Sequence, residues 1–219
     1  MKKIRFALGL FLFALSSILL SGCATLTYSG EDFDSNNLQT VRTQEEFVFQ
    51  TYTKSTNNIR FKTGITKTPV PEILALYVQI DNLSYETPYT FKVEDLSVSN
   101  PRSTMQFITT NNYLSIWQNQ EAASISAMSA MGSNLANMTN MSANFNEYNQ
   151  TMLQNQSQET NKSAFSHLER IGNELSKHSI KVSSTISPRK SQYFYFFFED
   201  LDEYPIYIEY KNLNYEFKL

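Results

Sequence analysis

No proline occurs between Pro101 and Pro188, and inside that interval the hydrophobic period of the chain changes. On either side, short segments alternate apolar with polar residues, favour β-branched and aromatic side chains, and are punctuated by Pro, Gly, Asn and Ser, which is strand character. Before the interval's helical part they are 45–53 (EEFVFQTYT), 58–63 (NIRFKT), 72–81 (EILALYVQID), 89–98 (YTFKVEDLSV) and 104–110 (TMQFITT). After it come 179–186 (SIKVSSTI), 191–200 (SQYFYFFFED), 205–210 (PIYIEY) and 214–219 (NYEFKL). The last two, joined by Lys211, Asn212 and Leu213, read as a terminal hairpin. The run YFYFFF has no polar alternate position and reads as a central strand covered on both faces. Short strands at this spacing predict a mainly β fold, an antiparallel β-sandwich, with the helical block inserted into it.

From Asn119 to His178 apolar residues recur every three or four positions. Ile125, Met128, Met131, Leu135, Met138, Met141, Phe145, Tyr148 and Met152 form one seam, stepping by less than about 3.5 residues on average, nearer a coiled coil than a straight helix. Phe165, Leu168, Ile171 and Leu175 form a second seam after the wholly polar stretch 154–162. The simplest arrangement is a helical hairpin or one long-helix arm, with Ala122, Ala123, Ala127, Ala130, Ala136 and Ala143 permitting close approach. A first helix over 119–153 would be about 52 Å long and a second over 163–178 about 24 Å. The shorter cannot cover the longer. Either the polar link is also helical, or part of the seam at Met128, Met131, Leu135, Met138, Met141, Phe145 and Met152 faces the sandwich or a partner, for which flexible, polarizable methionine is suited.

The N-terminus carries Lys2, Lys3 and Arg5 and then a largely apolar run from Phe6 to Leu20, too short to span a bilayer comfortably, which is the pattern of a secretory signal. It ends in Leu20-Ser21-Gly22-Cys23, which resembles the lipobox of bacterial lipoproteins. That resemblance implies cleavage before Cys23, acylation of its sulfur and usually of the new N-terminus. Each buried methylene contributes about 0.8 kcal/mol, so two or three acyl chains hold stably where one holds weakly. Cys23 is the only cysteine, so the mature chain would form no disulfide within itself and would depend on its core. Ala24 in place of Asp implies, by the same resemblance, sorting to the outer membrane, facing the periplasm. Without residues 1–22 the charge is 15 minus 21, or −6, a poor match for nucleic acid or anionic lipid. The small, polar residues of 24–40 read as a tether.

The stretch Leu76, Val78, Ile80, Asn82, Ser84, Pro88 and Phe91 resembles the end of one strand and the start of the next in small immunoglobulin-like domains of bacterial lipoproteins. There Asn and Ser side chains close the turn and the next strand begins after Pro. The expected organisation is therefore a signal peptide over 1–22, an acylated tether over 23–40, sandwich over 41–117 and 179–219, and a helical insertion over 118–178.

Other constellations are poorer in chemistry. Met128 with Met131 and Met138 with Met141 put thioether pairs on one helix face, a Cu(I) type of ligand, but an apolar seam explains the same spacing. His167 and His178 are too far apart along a helix for one ion. Glu174 and His178, at i and i+4, could share one, although a basic residue at a helix end beside a carboxylate is the common structural arrangement. The run Glu199 to Glu203 matches no calcium loop and reads as a solvated turn. No nucleophile elbow, phosphate-binding glycine loop or zinc-protease motif occurs, so no catalytic, metal or cofactor residues are assigned. The expectation is a non-enzymatic, lipid-anchored envelope protein with a protein partner, or self-association, through its helices. The alternative is a small-ligand carrier or a Met-rich, copper-handling lipoprotein. A converging polar site would favour that alternative; a filled sandwich with an exposed apolar helix stripe would favour the first.

Overall fold

The computed structural model describes residues 26–138, 166–179 and 182–218. In chain order the strands are β1 (Thr27–Tyr28), β2 (Leu38–Arg42), β3 (Val48–Ser55), β4 (Ile59–Lys67), β5 (Ile73–Asn82), β6 (Tyr89–Lys92) and β7 (Leu96–Ser99). Helices α1 (Thr110–Met138) and α2 (166–177) follow, then β8 (Ser183–Ile186), β9 (Ser191–Glu199), β10 (Ile206–Tyr210) and β11 (Leu213–Lys218). Among the described residues the fold is mainly β and antiparallel, with two helices.

One sheet runs β2-β3-β4-β5-β9, a second β1-β11-β10-β7, and β6 pairs with β8. Alternation sorts the five-stranded sheet into two apolar faces. Phe61, Leu74, Leu76, Val78, Ile80, Phe194, Phe196 and Phe198 meet Ile206, Ile208, Tyr210, Tyr215 and Phe217 of the second sheet. The facing sheets are locked by Phe61 stacked on Tyr210 at 4.7 Å and by the Tyr215 hydroxyl donating to the Phe61 carbonyl at 3.1 Å. On the other face, Phe47, Phe49, Ala75, Tyr77, Tyr195 and Phe197 pack against Tyr113 and Trp117 of α1 and Leu168, Ile171 and Leu175 of α2. The result is three layers: sheet, sheet, helices. Leu168, Ile171 and Leu175 of the second seam thus bury against strands.

β9 is covered on both faces as its composition implies, but it ends the sheet order rather than occupying its centre. Its outer edge is closed in part by Ile108 N donating to Phe197 O (2.6 Å) and Tyr195 N donating to His178 O (3.3 Å). The segment 104–110 is not a strand: Thr104 and Ile108 make single bridges only. Thr109 then caps α1, its hydroxyl accepting from Asn112 N at 3.2 Å, so the helix starts well before the boundary at 118 read from the sequence. The expected strand over 89–98 is two strands in different sheets, separated by the 3₁₀ turn Val93–Asp95.

Part of the segment expected as a tether is folded. Leu26 and Tyr28 are buried, β1 pairs with β11, and β2 forms the edge beside β3. A two-residue strand is too brief to show a period in sequence. The Asn-x-Ser turn forms as the resemblance implied: Asn82 Oδ1 accepts from Ser84 N (3.0 Å), Asn82 Nδ2 donates to Thr87 O and Ile186 O, and β6 opens just after Pro88. The terminal hairpin forms too, with Tyr210 paired to Leu213 and Lys211 in the left-handed region.

Candidate functional site

The helix-covered face of the five-stranded sheet changes character along its length. At one end Phe197 stacks on Tyr113 with ring centroids 3.9 Å apart, beside Trp117. Towards the other, β5 and β9 present Tyr77, Gln79, Asp81, Tyr193 and Tyr195. Tyr77 donates to Gln79 (2.6 Å), which donates to Asp81 (2.8 Å). Polar and aromatic groups therefore line the floor on which the end of α2 rests.

Two elements bring charge to that floor. The β2–β3 turn is closed by Thr43, whose carbonyl accepts from Glu46 N and whose hydroxyl accepts from Phe47 N. Glu46 sits at φ 70°, a left-handed conformation that costs a non-glycine residue about 1–2 kcal/mol. Glu46 faces outward and holds Arg170 of α2 at 2.9 Å, with His167 Nε2 at 3.7 Å, while Arg170 also donates to Gln44 O. Its neighbour Glu45 turns inward and is 2% exposed.

Glu45, Glu174 and His178 converge, with one potential ligand atom from each lying within 4.8 Å of the others. No direct ion pair or hydrogen bond joins them to one another among the described residues. Each is held from outside the cluster. Tyr195 donates its hydroxyl to Glu45 Oε2 at 2.8 Å; Lys177 sits 2.5 Å from Glu174 Oε1; the His178 ring stacks on Tyr193 at 3.9 Å. Burial, and then the facing Glu45 carboxylate, push the Tyr195 phenol far above its ordinary range, so it remains a donor. Tyr193 is raised by burial and by the carboxylates of Glu45 and Glu174. Glu45 Oε1 is buried with no partner. An unpartnered buried acceptor costs about 1–3 kcal/mol, more when charged, so the arrangement is expensive unless something positive completes it.

Of the residues singled out in sequence, Met128, Met131, Leu135 and Met138 lie on α1. Cys23, Met141, Phe145 and Met152 lie outside the described residues, as does the first residue of the second seam, Phe165. The i, i+4 pair Glu174 and His178 is brought together with a third group that sequence reading missed. Glu45 looked like the start of a strand, and its distance along the chain from α2 hides the convergence. The acidic run is distributed among protein partners: Asp200 takes Lys67 (3.4 Å) and the Tyr204 hydroxyl (3.0 Å), and Glu203 takes Arg102 (2.6 Å). No helix among the described residues is long and apolar enough to cross a membrane.

No family model matches this chain, and neither does any curated protein or solved structure.

Proposed function

We propose that this chain is a non-enzymatic, lipid-anchored envelope protein whose facing sheets form an immunoglobulin-like platform and whose helices present a surface to a protein partner or a second copy. The observation that supports it most is the length of α1. Trp117 is the last buried residue among the described side chains of that helix, and Ala122, Ala123 and Ser124 are already exposed, yet the helix continues to Met138. That extension adds about 32 Å beyond Trp117. It carries the seam positions Met128, Met131, Leu135 and Met138. The platform is a variant of the immunoglobulin arrangement, because β2 to β5 are consecutive neighbours in one sheet whereas immunoglobulin domains divide consecutive strands more evenly between sheets.

In this reading Cys23 is the acylated anchor, and the buried Leu26 follows it so closely that the domain sits against the membrane. Three residues reach at most about 11 Å. The partner is a protein or another copy of this chain, not nucleic acid, in keeping with the net acidity of the mature sequence. An amine-reactive cross-linker in cells, acting through lysines outside the helices such as Lys62 and Lys218, compared between the native chain and one in which 122–165 is replaced by a short Gly/Ser linker, tests the helix role. Cross-links that vanish on excision support it, and an unchanged partner pattern contradicts it. For the anchor, Cys23→Ala should abolish incorporation of a clickable fatty acid, and label retained on the mutant would contradict it.

A further inference from the structure

We propose that Glu45, Glu174 and His178 form a binding site for one divalent transition-metal ion, of the Zn²⁺ type, that fastens the β2–β3 turn to the C-terminal end of α2. The inference goes beyond the proposed function and does not depend on the anchor or on what the distal helix binds.

Three features carry it. The first is convergence: an imidazole and two carboxylates, from a turn and a helix end, offer ligand atoms within 4.8 Å of one another without bonding among themselves. Ligands about 2.0–2.2 Å from a tetrahedral zinc ion lie about 3.3–3.6 Å apart, so a contraction of at most about 1.5 Å closes the set. The second is Glu45 Oε1, in a side chain that is 2% exposed, unpartnered and part of the converging carboxylate. A buried acceptor of that kind calls for a cation. The third is the outer support that ligands of such sites have. The Tyr195 hydroxyl occupies Glu45 Oε2 at 2.8 Å, leaving Oε1 for the ion. Lys177 occupies Glu174 Oε1, leaving Oε2. The His178 ring is fixed flat against Tyr193.

The ligand chemistry selects the ion class. Mixed imidazole and carboxylate suits zinc and its neighbours, whereas Ca²⁺ and Mg²⁺ take oxygen sets, and a site without sulfur is not a Cu(I) site. Three protein ligands leave a fourth position for water. A positive ion at this place also complements the negative end of the α2 dipole. Because α2 covers the sheet through Leu168, Ile171 and Leu175, an ion bridging its end to Glu45 would tighten the whole helical layer.

The test uses the full chain in detergent, stripped with a chelator and titrated with Zn²⁺ against a chromophoric competitor, with Mg²⁺ and Ca²⁺ as separate arms. The expected result is one Zn²⁺ per chain, a raised thermal midpoint on binding, and no comparable effect of Mg²⁺ or Ca²⁺. Glu45→Gln and His178→Gln should each weaken binding at least tenfold. Tyr195→Phe, which leaves all three ligands in place, should weaken it by roughly 10–100-fold. Co²⁺ substitution should give a four-coordinate visible spectrum in the native chain that Tyr195→Phe perturbs. Absence of stoichiometric Zn²⁺ binding by the native chain would overturn the proposal. So would binding undiminished in the Glu45→Gln/His178→Gln double variant, or Mg²⁺ or Ca²⁺ bound as tightly as Zn²⁺.

Discussion

The two faces of the five-stranded sheet come from the same strands and hold different chemistry. Between the sheets, Leu74, Leu76, Val78 and Ile80 of β5 and Phe194, Phe196 and Phe198 of β9 meet aliphatic and aromatic side chains along the strands' whole length. Under the helices, the alternate residues of the same strands begin as Ile73, Ala75 and Phe197 and end as Gln79, Asp81 and Tyr193, with buried Glu45 laid over them. A face covered by a second sheet can be filled uniformly, because strands on both sides share one period. A face covered by two helices of limited footprint is apolar only where they press on it. Its margin stays polar, and there the charged groups gather.

The largest effect that separates a true helical layer from a free arm is a matched pair of truncations. Phe197→Ala and Phe198→Ala lie on opposite faces, both at 0% exposure, and each should destabilise by about 3–5 kcal/mol in denaturant unfolding. A cost for Phe197→Ala well under half that of Phe198→Ala would break the comparison. Phe197 loses the stack on Tyr113 only if α1 is held there.

The next effect contrasts two hydroxyls. Tyr195→Phe strands the buried Glu45 carboxylate and should cost about 1.5–3 kcal/mol without added metal, whereas Tyr215→Phe frees uncharged backbone groups, the Phe61 carbonyl among them, and should cost about 1 kcal/mol. Equal losses would show that the carboxylate margin carries no special charge penalty.

Alkaline titration sharpens the comparison further. Tyr28, Tyr210 and Tyr215 on the sandwich side and Tyr77 and Tyr195 on the helix side are raised above their ordinary values, by burial first in every case. A raised folded value means the native state holds its protons longer than the unfolded chain. Stability is therefore fully present below pH of about 10 and falls as pH rises above it. Tyrosinate absorbance and unfolding should rise together on both faces, and exchange of protons without unfolding would contradict the burial.

The smallest effect is at the surface. Arg170→Ala removes the half-exposed pair with Glu46 and should cost about 0.2–1 kcal/mol, lost in high salt.

Much of the β fold was legible in the sequence because alternation and turn residues are local. Asn82, Ser84 and Pro88 closed their turn as read, and Phe194 to Phe198 were covered on both faces. Two features were not legible for the same physical reason. β1 and the first three residues of β2 fall in the segment that reads as a tether, because their pairing partners, β11 and β3, supply the order that a short segment cannot show alone. The helical block reads in sequence as an insertion over 118–178, and Thr110 and Ser179 are joined at 3.1 Å, but Leu168, Ile171 and Leu175 are core residues, so α2 and the base of α1 belong to the core. Gly172, whose added Cβ would meet Leu114 at 3.4 Å, shows how closely the two helices run at their base. The Glu45 cluster was half legible, as an i, i+4 pair on α2, and its third member could come only from tertiary structure.

Trp117 is the chain's only tryptophan and sits at the helix–sheet contact, so its fluorescence reports the helical layer while circular dichroism in the β region reports the sheets. Followed together in one denaturant titration, the two signals test directly whether the helices are a layer of the core. A helical layer that belongs to the core gives coincident transitions with a single midpoint. Loss of the Trp117 signal at lower denaturant, with the β signal intact, would mean that the helices hang on the sandwich as a separable arm.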